Sequence, residues 1–191
     1  MHTSKILTTL SLSAVFVISA ASALHSTTAR AERADRDKPV RILADFAPVD
    51  DKSKTITLEG NVKITQGTLV ITANKAIVTQ DADGFQTAIA IGGVGNLARL
   101  QQKREGKDEM IYAEGERIEY DARSEKAVLI KRAWIRQGTN EACADTIEYN
   151  ALTEAYKGRS SKPGDQVELV LPGKTAQSAP AAAALVCERK K

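Results

Sequence analysis

The residue types that carry most enzyme chemistry are scarce in this chain and wrongly placed. Its two histidines, His2 and His25, both precede the first alternating segment, so the body of the chain has no imidazole for a triad, a general base or a zinc site. Cys143 and Cys187 are the only thiols, and neither has a histidine to activate it. Carboxylate pairs such as Glu114/Glu116 and Asp81/Asp83 have the spacing a glycoside hydrolase could use. Twenty-four scattered acids always yield such pairs, however, and aromatic platforms for a sugar are nearly absent, at 4% of the chain. No catalytic residue, metal ligand or cofactor is expected.

The elements that would position any site are short and alternate with period two. Val40 and Ile42 flank Arg41. Ile56 and Leu58 alternate with polar neighbours, as do Val62 and Ile64, Leu69 and Ile71, Ile118 and Tyr120, Ile147 and Tyr149, and Val167, Leu169 and Leu171. Turn signals at Asp50-Asp51, Gly60-Asn61, Gln66-Gly67, Asp83-Gly84, Gly92-Gly93, Gly106-Lys107, Gly138 and Pro163-Gly164 punctuate these runs. Closely spaced short strands of this kind predict an all-β sandwich, jelly roll or barrel in one domain.

The ends are different in kind. Ile6 to Ala20 is apolar and uncharged after a basic start, and Ala21-Ser22-Ala23 supplies the small residues of a cleavage site. Residues 1–23 are therefore expected to be a signal peptide cleaved after Ala23, with Ala29-Arg30-Ala31 as a second-ranked site. Residues 24–37 read as a disordered leader, and 173–191 as a flexible, Ala-rich, basic tail. In an oxidising compartment Cys143 and Cys187 could close a disulfide that pins this tail; free or intermolecular thiols are the alternatives that sequence leaves open. The net charge of +3, with both signs mixed, argues against nucleic-acid binding.

A repeat organises the middle of the chain. "LEGNVKITQGTLVITANKAIVT" (58–79) aligns without a gap on "LIKRAWIRQGTNEACADTIEYN" (129–150), matching Leu58/Leu129, Ile64/Ile135, Gln66/Gln137, Gly67/Gly138, Thr68/Thr139 and Ala73/Ala144. Asp50/Asp121 and Ser53/Ser124 extend the match upstream. Each copy is expected to be a hairpin turning at Gln-Gly, where glycine supplies a positive φ without steric cost. Gly115 to Asp121 echoes the back half, Ala144 to Asn150. Lys131-Arg132 replaces Gly60-Asn61 in the second copy, which leaves the geometry there open.

With "KPVRILAD" (38–45) upstream, Gly60-Asn61-Val62, Ile64-Thr65-Gln66-Gly67 and Ala73-Asn74-Lys75 resemble the LptA/OstA-type proteins, the periplasmic bridge component of lipopolysaccharide transport. The likeness covers roughly 38–172. It implies a twisted, half-open antiparallel β-jelly roll with an apolar groove. It also implies a non-catalytic carrier that holds the lipid A acyl chains of lipopolysaccharide and stacks on itself head to tail. An inner-membrane anchor protein and an outer-membrane translocon would be its further partners. A membrane-anchored relative, or a β-scaffold without cargo, is the alternative. On that footing Val40, Ile42, Ile56, Leu58, Val62, Ile64, Leu69, Ile71, Ile118, Tyr120, Leu129 and Ile135 become groove residues, with a sealed core as the competing use of the same side chains. Arg99, Lys103 and Arg104 become candidate contacts for lipid A phosphates. Lys38–Asp45 and Val167–Leu171 become the edges that pair with further copies.

Overall fold

The computed structural model describes residues 35–171, so the stretch read as a signal, most of the leader and the whole of the tail, Cys187 included, lie outside the described residues. Twelve antiparallel strands follow one another: β1 (Arg41–Leu43), β2 (Val49–Asp50), β3 (Thr55–Gln66), β4 (Leu69–Asp81), β5 (Gly84–Ile91) and β6 (Ala98–Lys103), then β7 (Met110–Gly115), β8 (Arg117–Asp121), β9 (Lys126–Gln137), β10 (Asn140–Asn150), β11 (Ala155–Arg159) and β12 (Glu168–Val170). The all-β expectation holds, and no α-helix occurs among the described residues.

The two sequence copies are the two long hairpins, β3–β4 and β9–β10. In each the strands meet at Gln66↔Leu69 or Gln137↔Asn140. The first turn residue, Gly67 or Gly138, has φ near +60° (58° and 61°), the pattern of a two-residue turn whose twist suits a hairpin. Gly67 is fixed twice over. A Cβ there would also meet the Asp35 carboxylate at 2.1–2.5 Å. That carboxylate accepts the turn's Thr68 N–H at 2.7 Å, while Gln66 Nε2 donates to the Arg36 carbonyl at 2.7 Å. The last residues of the stretch read as a loose leader are thus docked on the first turn.

Both hairpins bend at the same place. Gly60 and Asn61 of β3 face Asn74 alone, and Lys131 and Arg132 of β9 face Asp145 alone, so each hairpin carries a bulge of two residues against one. All four bulge residues have positive φ, at 73°, 46°, 59° and 49°. The substitution of Lys-Arg for Gly-Asn preserves the bend, which was the open point of the second copy. Inward alternation keeps its parity along β3 (Leu58, Val62, Ile64) but reverses along β4 (Leu69, Ile71, then Ala76, Val78).

Because of these bends, each long strand belongs to two hydrogen-bonded ladders. The first runs β1–β3–β4–β6–β7–β9–β10–β12 and uses the hairpin halves next to the Gln-Gly turns. The second runs β2–β3–β4–β5–β8–β9–β10–β11 and uses the opposite halves. Their inner faces share one apolar cluster, which makes a jelly roll of two layers joined along the bends. The sequence echo also finds its place: β8 and the far half of β10 flank β9, so Ile118 and Ile147 sit either side of Leu129, and Tyr120 and Tyr149 either side of Ala127.

Candidate functional site

The interior is built from rows that cross each ladder at right angles to its strands. In the first ladder the pairing places Ile42, Ile64, Ile71, Leu100, Ala113, Ile135, Ala142 and Leu169 side by side, from one edge strand to the other. In the second, Val49, Ile56, Val78, Ala88, Tyr120, Ala127, Tyr149 and Tyr156 form one such row. Leu58, Ala76, Ala90, Ile118, Leu129, Ile147 and Gly158 form another. No residue of these three rows carries a charged side chain.

All twelve residues expected to line a groove meet in this one cluster. Leu58, Val62, Ile64, Leu69, Ile71, Ile118, Tyr120, Leu129 and Ile135 are buried within it, and Val40, Ile42 and Ile56 pack against it partly exposed. Sequence reasoning missed Ala76, Val78, Ala88, Ala90, Leu100, Ile111 and Ala113. The parity change opposite the bulge hid the first two, and mixed neighbours hid the rest. The interior is lined on several strands by alanine.

The far ends of the two ladders are tied by charge. Arg104, just after β6, gives Glu154 in the β10–β11 turn two hydrogen bonds, Nε to Oε1 at 3.0 Å and Nη2 to Oε2 at 2.7 Å. Its Nη1 donates to Glu109, and Lys107 Nζ reaches Glu154 at 3.2 Å. Before β1, Arg36 pairs with the largely buried Glu125 of the β8–β9 turn. A space of only about 10 Å³, lined by Gln102, Arg104, Glu125, Tyr149 and Ala151 among others, remains where the ladders meet. Hydrogen bonding from Arg104 is the main influence on the Glu154 carboxyl and, over the opposing effect of burial, holds it below its ordinary value; the same contact, with Glu109, raises the guanidinium's. Beneath the pairs, burial pushes the Tyr120 hydroxyl up to about 12 and that of Tyr149 higher still.

The three cations expected to meet phosphates occupy different settings. Arg99, on the outer face, pairs with Glu114 at 3.1 Å and is mostly exposed. Lys103 pairs with exposed Asp108 at 3.0 Å. Arg104, only 12% exposed, is the centre of the tie just described. The fold does not gather them around one point on the interior.

Apart from Val94 and Leu152 in turns, the exposed large apolar side chains of the described residues lie at the ladder edges. Leu43 on β1, Phe46 after it and Val49 on β2 lie at one end, and Leu169 and Leu171 at the other. The strands named from sequence as edges, β1 and β12, terminate the same ladder. The second ladder ends in β2 and β11, which the sequence did not single out.

One polar cluster on the outer face also escaped the sequence. The Arg136 guanidinium lies 4.9 Å from the Tyr112 ring centre and 5.5 Å from that of Trp134. Trp134 Nε1 donates to Oε2 of Glu141 at 3.2 Å, and that glutamate is 1% exposed. Tyr112, Trp134 and Arg136 border a cavity of about 370 Å³. Cys143, paired across from Trp134, is part of a disulfide and not a free thiol, whereas Cys187 lies outside the described residues.

Residues 41–155 match the family model described as LptA/(LptD N-terminal domain) LPS transport protein. The lipopolysaccharide export system protein LptH of Pseudomonas aeruginosa is 31% identical over 162 residues, 81% of this chain and 91% of the relative. LptA of Escherichia coli K12, of the same export system, is 30% identical over 138 residues, 72% of either chain. The crystal structure of P. aeruginosa LptH, titled the LptA-homologous periplasmic component of the lipopolysaccharide transport device, superposes with a TM-score of 0.66. The match is at 26% identity and covers 73% of this chain and 99% of that one.

Proposed function

Because the chain belongs to the LptA/LptD N-terminal-domain family of lipopolysaccharide transport proteins, we propose that it is a non-catalytic periplasmic carrier. It holds the acyl chains of lipid A between its two ladders and passes them along a head-to-tail stack of copies. The observation that carries this reading is the row from Ile42 to Leu169, apolar at every position from edge strand to edge strand. A sealed core has no need for a row that ends in half-exposed side chains at both rims. A track continuing into a neighbouring copy does.

Loading requires the ladders to part on the side opposite the bends. There the tie is made of ion pairs, which exchange with water and with other anions at modest cost. Lipid A phosphates are such anions, and Arg104 is the cation they would meet as the seam opens. Stacking adds β1 of one copy to β12 of the next, an edge-to-edge addition favoured by unpaired strand edges and by Leu43 and Leu169 beside them. The anchor protein and the outer-membrane translocon would occupy the two ends of the stack. Export of the chain with cleavage after Ala23 completes this reading.

The test is co-migration of the purified mature protein with lipopolysaccharide, repeated for Ile42→Asp. Ile42 sits at the rim, so the variant should keep its thermal midpoint within a few degrees while capture falls at least tenfold. A folded wild type that captures no lipopolysaccharide would leave a β-scaffold as the better account.

A further inference from the structure

Because side chains alternate across a sheet, two outward rows of the first ladder flank the inward row that carries Ile64 and Ile135. One runs Lys63, Thr72, Arg99, Glu114 and Trp134; the other runs Val70, Gln101, Tyr112 and Arg136. Both rows border the outer-face cavity of about 370 Å³. We propose that this cavity binds a phosphorylated sugar, with Arg136 and Lys63 on the phosphate and Thr72, Gln101 and Glu114 on the hydroxyls. The site is independent of acyl-chain carriage, because it is turned away from the interior. Its lining runs from β3 to β9 and stops short of the edge strands β1 and β12.

Arg136 carries the phosphate assignment. Its guanidinium is held over Tyr112 and Trp134 at 4.9 and 5.5 Å. Its ion pair with Glu141 is at 4.0 Å, beyond hydrogen-bond distance, and its guanidinium donates no hydrogen bond among the described residues. Ring contacts engage the faces of the planar group and leave its N–H edge to a ligand. The donor fork is thus positioned before any ligand arrives, and its side chain is still 25% exposed. Lys63, exposed at the opposite side of the cavity, makes no ion pair among the described residues.

Charge and size narrow the ligand. Lys63, Arg99 and Arg136 face one carboxylate in the lining, Glu114, which Arg99 already holds at 3.1 Å. Counting Glu141 behind Arg136 still leaves three cations against two acids. An anion answers that excess, and a phosphate monoester brings about −1.5 to −2 in the geometry a guanidinium fork matches. The volume lies within the range of small-molecule sites, roughly 300–1,000 Å³, and exceeds what a lone phosphate fills. The remaining lining suits a sugar: the hydroxyl of Thr72, the amide of Gln101 and the carboxylate of Glu114 for its hydroxyls, and the Tyr112 and Trp134 rings for its C–H faces. Sequence reasoning had no access to this set, because its members come from five strands.

The test is calorimetry on the purified exported protein in low-salt, phosphate-free buffer, with glucose 1-phosphate, inorganic phosphate and glucose as probes. Glucose 1-phosphate should bind at one site, more tightly than inorganic phosphate, weaken as salt rises, and leave glucose without detectable binding. Trp134, the one tryptophan of the chain, should change its emission along the same binding curve. Arg136→Gln should weaken binding roughly tenfold, by loss of a charge-assisted contact. Lys63→Gln, which leaves the ring cluster intact, should weaken it roughly threefold with an unchanged thermal midpoint, so that the outcome does not depend on how Arg136→Gln folds. No binding of glucose 1-phosphate, or affinity unchanged in both variants, would overturn the site. Affinity no better than that of inorganic phosphate would overturn its assignment to a sugar.

Competition identifies the source. Displacement of glucose 1-phosphate by the phosphorylated saccharide of delipidated lipopolysaccharide would support the site as a contact for exported cargo, and binding without such displacement would support free sugar phosphates. Ile42→Asp should bind glucose 1-phosphate as the wild type does. Its loss of acyl-chain capture with this site intact, or the reverse in Arg136→Gln, separates failure of one reading from failure of the other.

Discussion

At residue scale, the bulges show how one backbone is met by two chemistries. Gly60 takes its φ of 73° at no steric cost, and the Asp45 carboxylate occupies the space a side chain would need, 2.2 Å from where a Cβ would stand. Gly60→Ala should therefore lower stability by about 2 kcal/mol in urea unfolding, from backbone strain plus displacement of Asp45. Lys131 takes the equivalent φ of 59° with a full side chain, and its only ion pair among the described residues, to Glu116 at 4.0 Å, is exposed. Lys131→Gly should raise stability by about 1 kcal/mol, because the strain removed exceeds what an exposed pair supplies. A harmless Gly60→Ala together with a Lys131→Gly that fails to stabilise would show that the bend does not demand these conformations. Sequence exposed the equivalence of the positions through the repeat, but not the conformation, since nothing in Lys-Arg announces a left-handed pair.

At element scale, the hairpins were the most legible part of the chain. Alternating apolar residues around Gln-Gly specify both strand face and turn, and the offset of the two copies aligns turn with turn and bend with bend. Parity hid the far halves: after Ile71 the inward residues move from odd to even positions, and an alternation rule followed past Asn74 picks the wrong face. Edge strands were half legible. β1 and β12 alternate strongly enough to be seen, whereas β2 has two residues, and β11 mixes Tyr156 with lysine, glycine and arginine. If β1 and β12 are the stacking edges, Leu43→Lys and Leu169→Lys should each abolish concentration-dependent oligomers in light scattering and leave the far-ultraviolet circular dichroism of the monomer unchanged. Persistence of oligomers in both would transfer stacking to another surface.

At the scale of the whole molecule, two layers share four long strands and are closed opposite their common bends by ion pairs. Nothing in the sequence brings Arg104 to Glu154, fifty positions apart; the pair exists because both lie at ladder ends that the bends fold together. The carboxyl of Glu154 is held below its ordinary value near 4.5 in the folded state. A depressed folded value means that its contribution is complete above about pH 4.5 and is lost as pH falls through the lower folded value. Glu154→Gln should thus cost about 1–2 kcal/mol at pH 7, by loss of a charge-assisted pair, and the difference from wild type should shrink steadily below about pH 4.5. A cost independent of pH would assign the effect to packing. If loading parts the ladders at this tie, loosening it should also speed uptake of acyl chains.

The central claim, that acyl chains lie between the ladders, is tested most directly by photo-crosslinking at neighbouring positions of opposite facing. A photoreactive side chain at Ile42 or Leu169 ends the inward row, and one at Arg41 or Val170 lies one residue away on the outer face. With lipopolysaccharide present, adducts are predicted from Ile42 and Leu169 and not from Arg41 or Val170. Adducts from the outward pair alone would contradict the account.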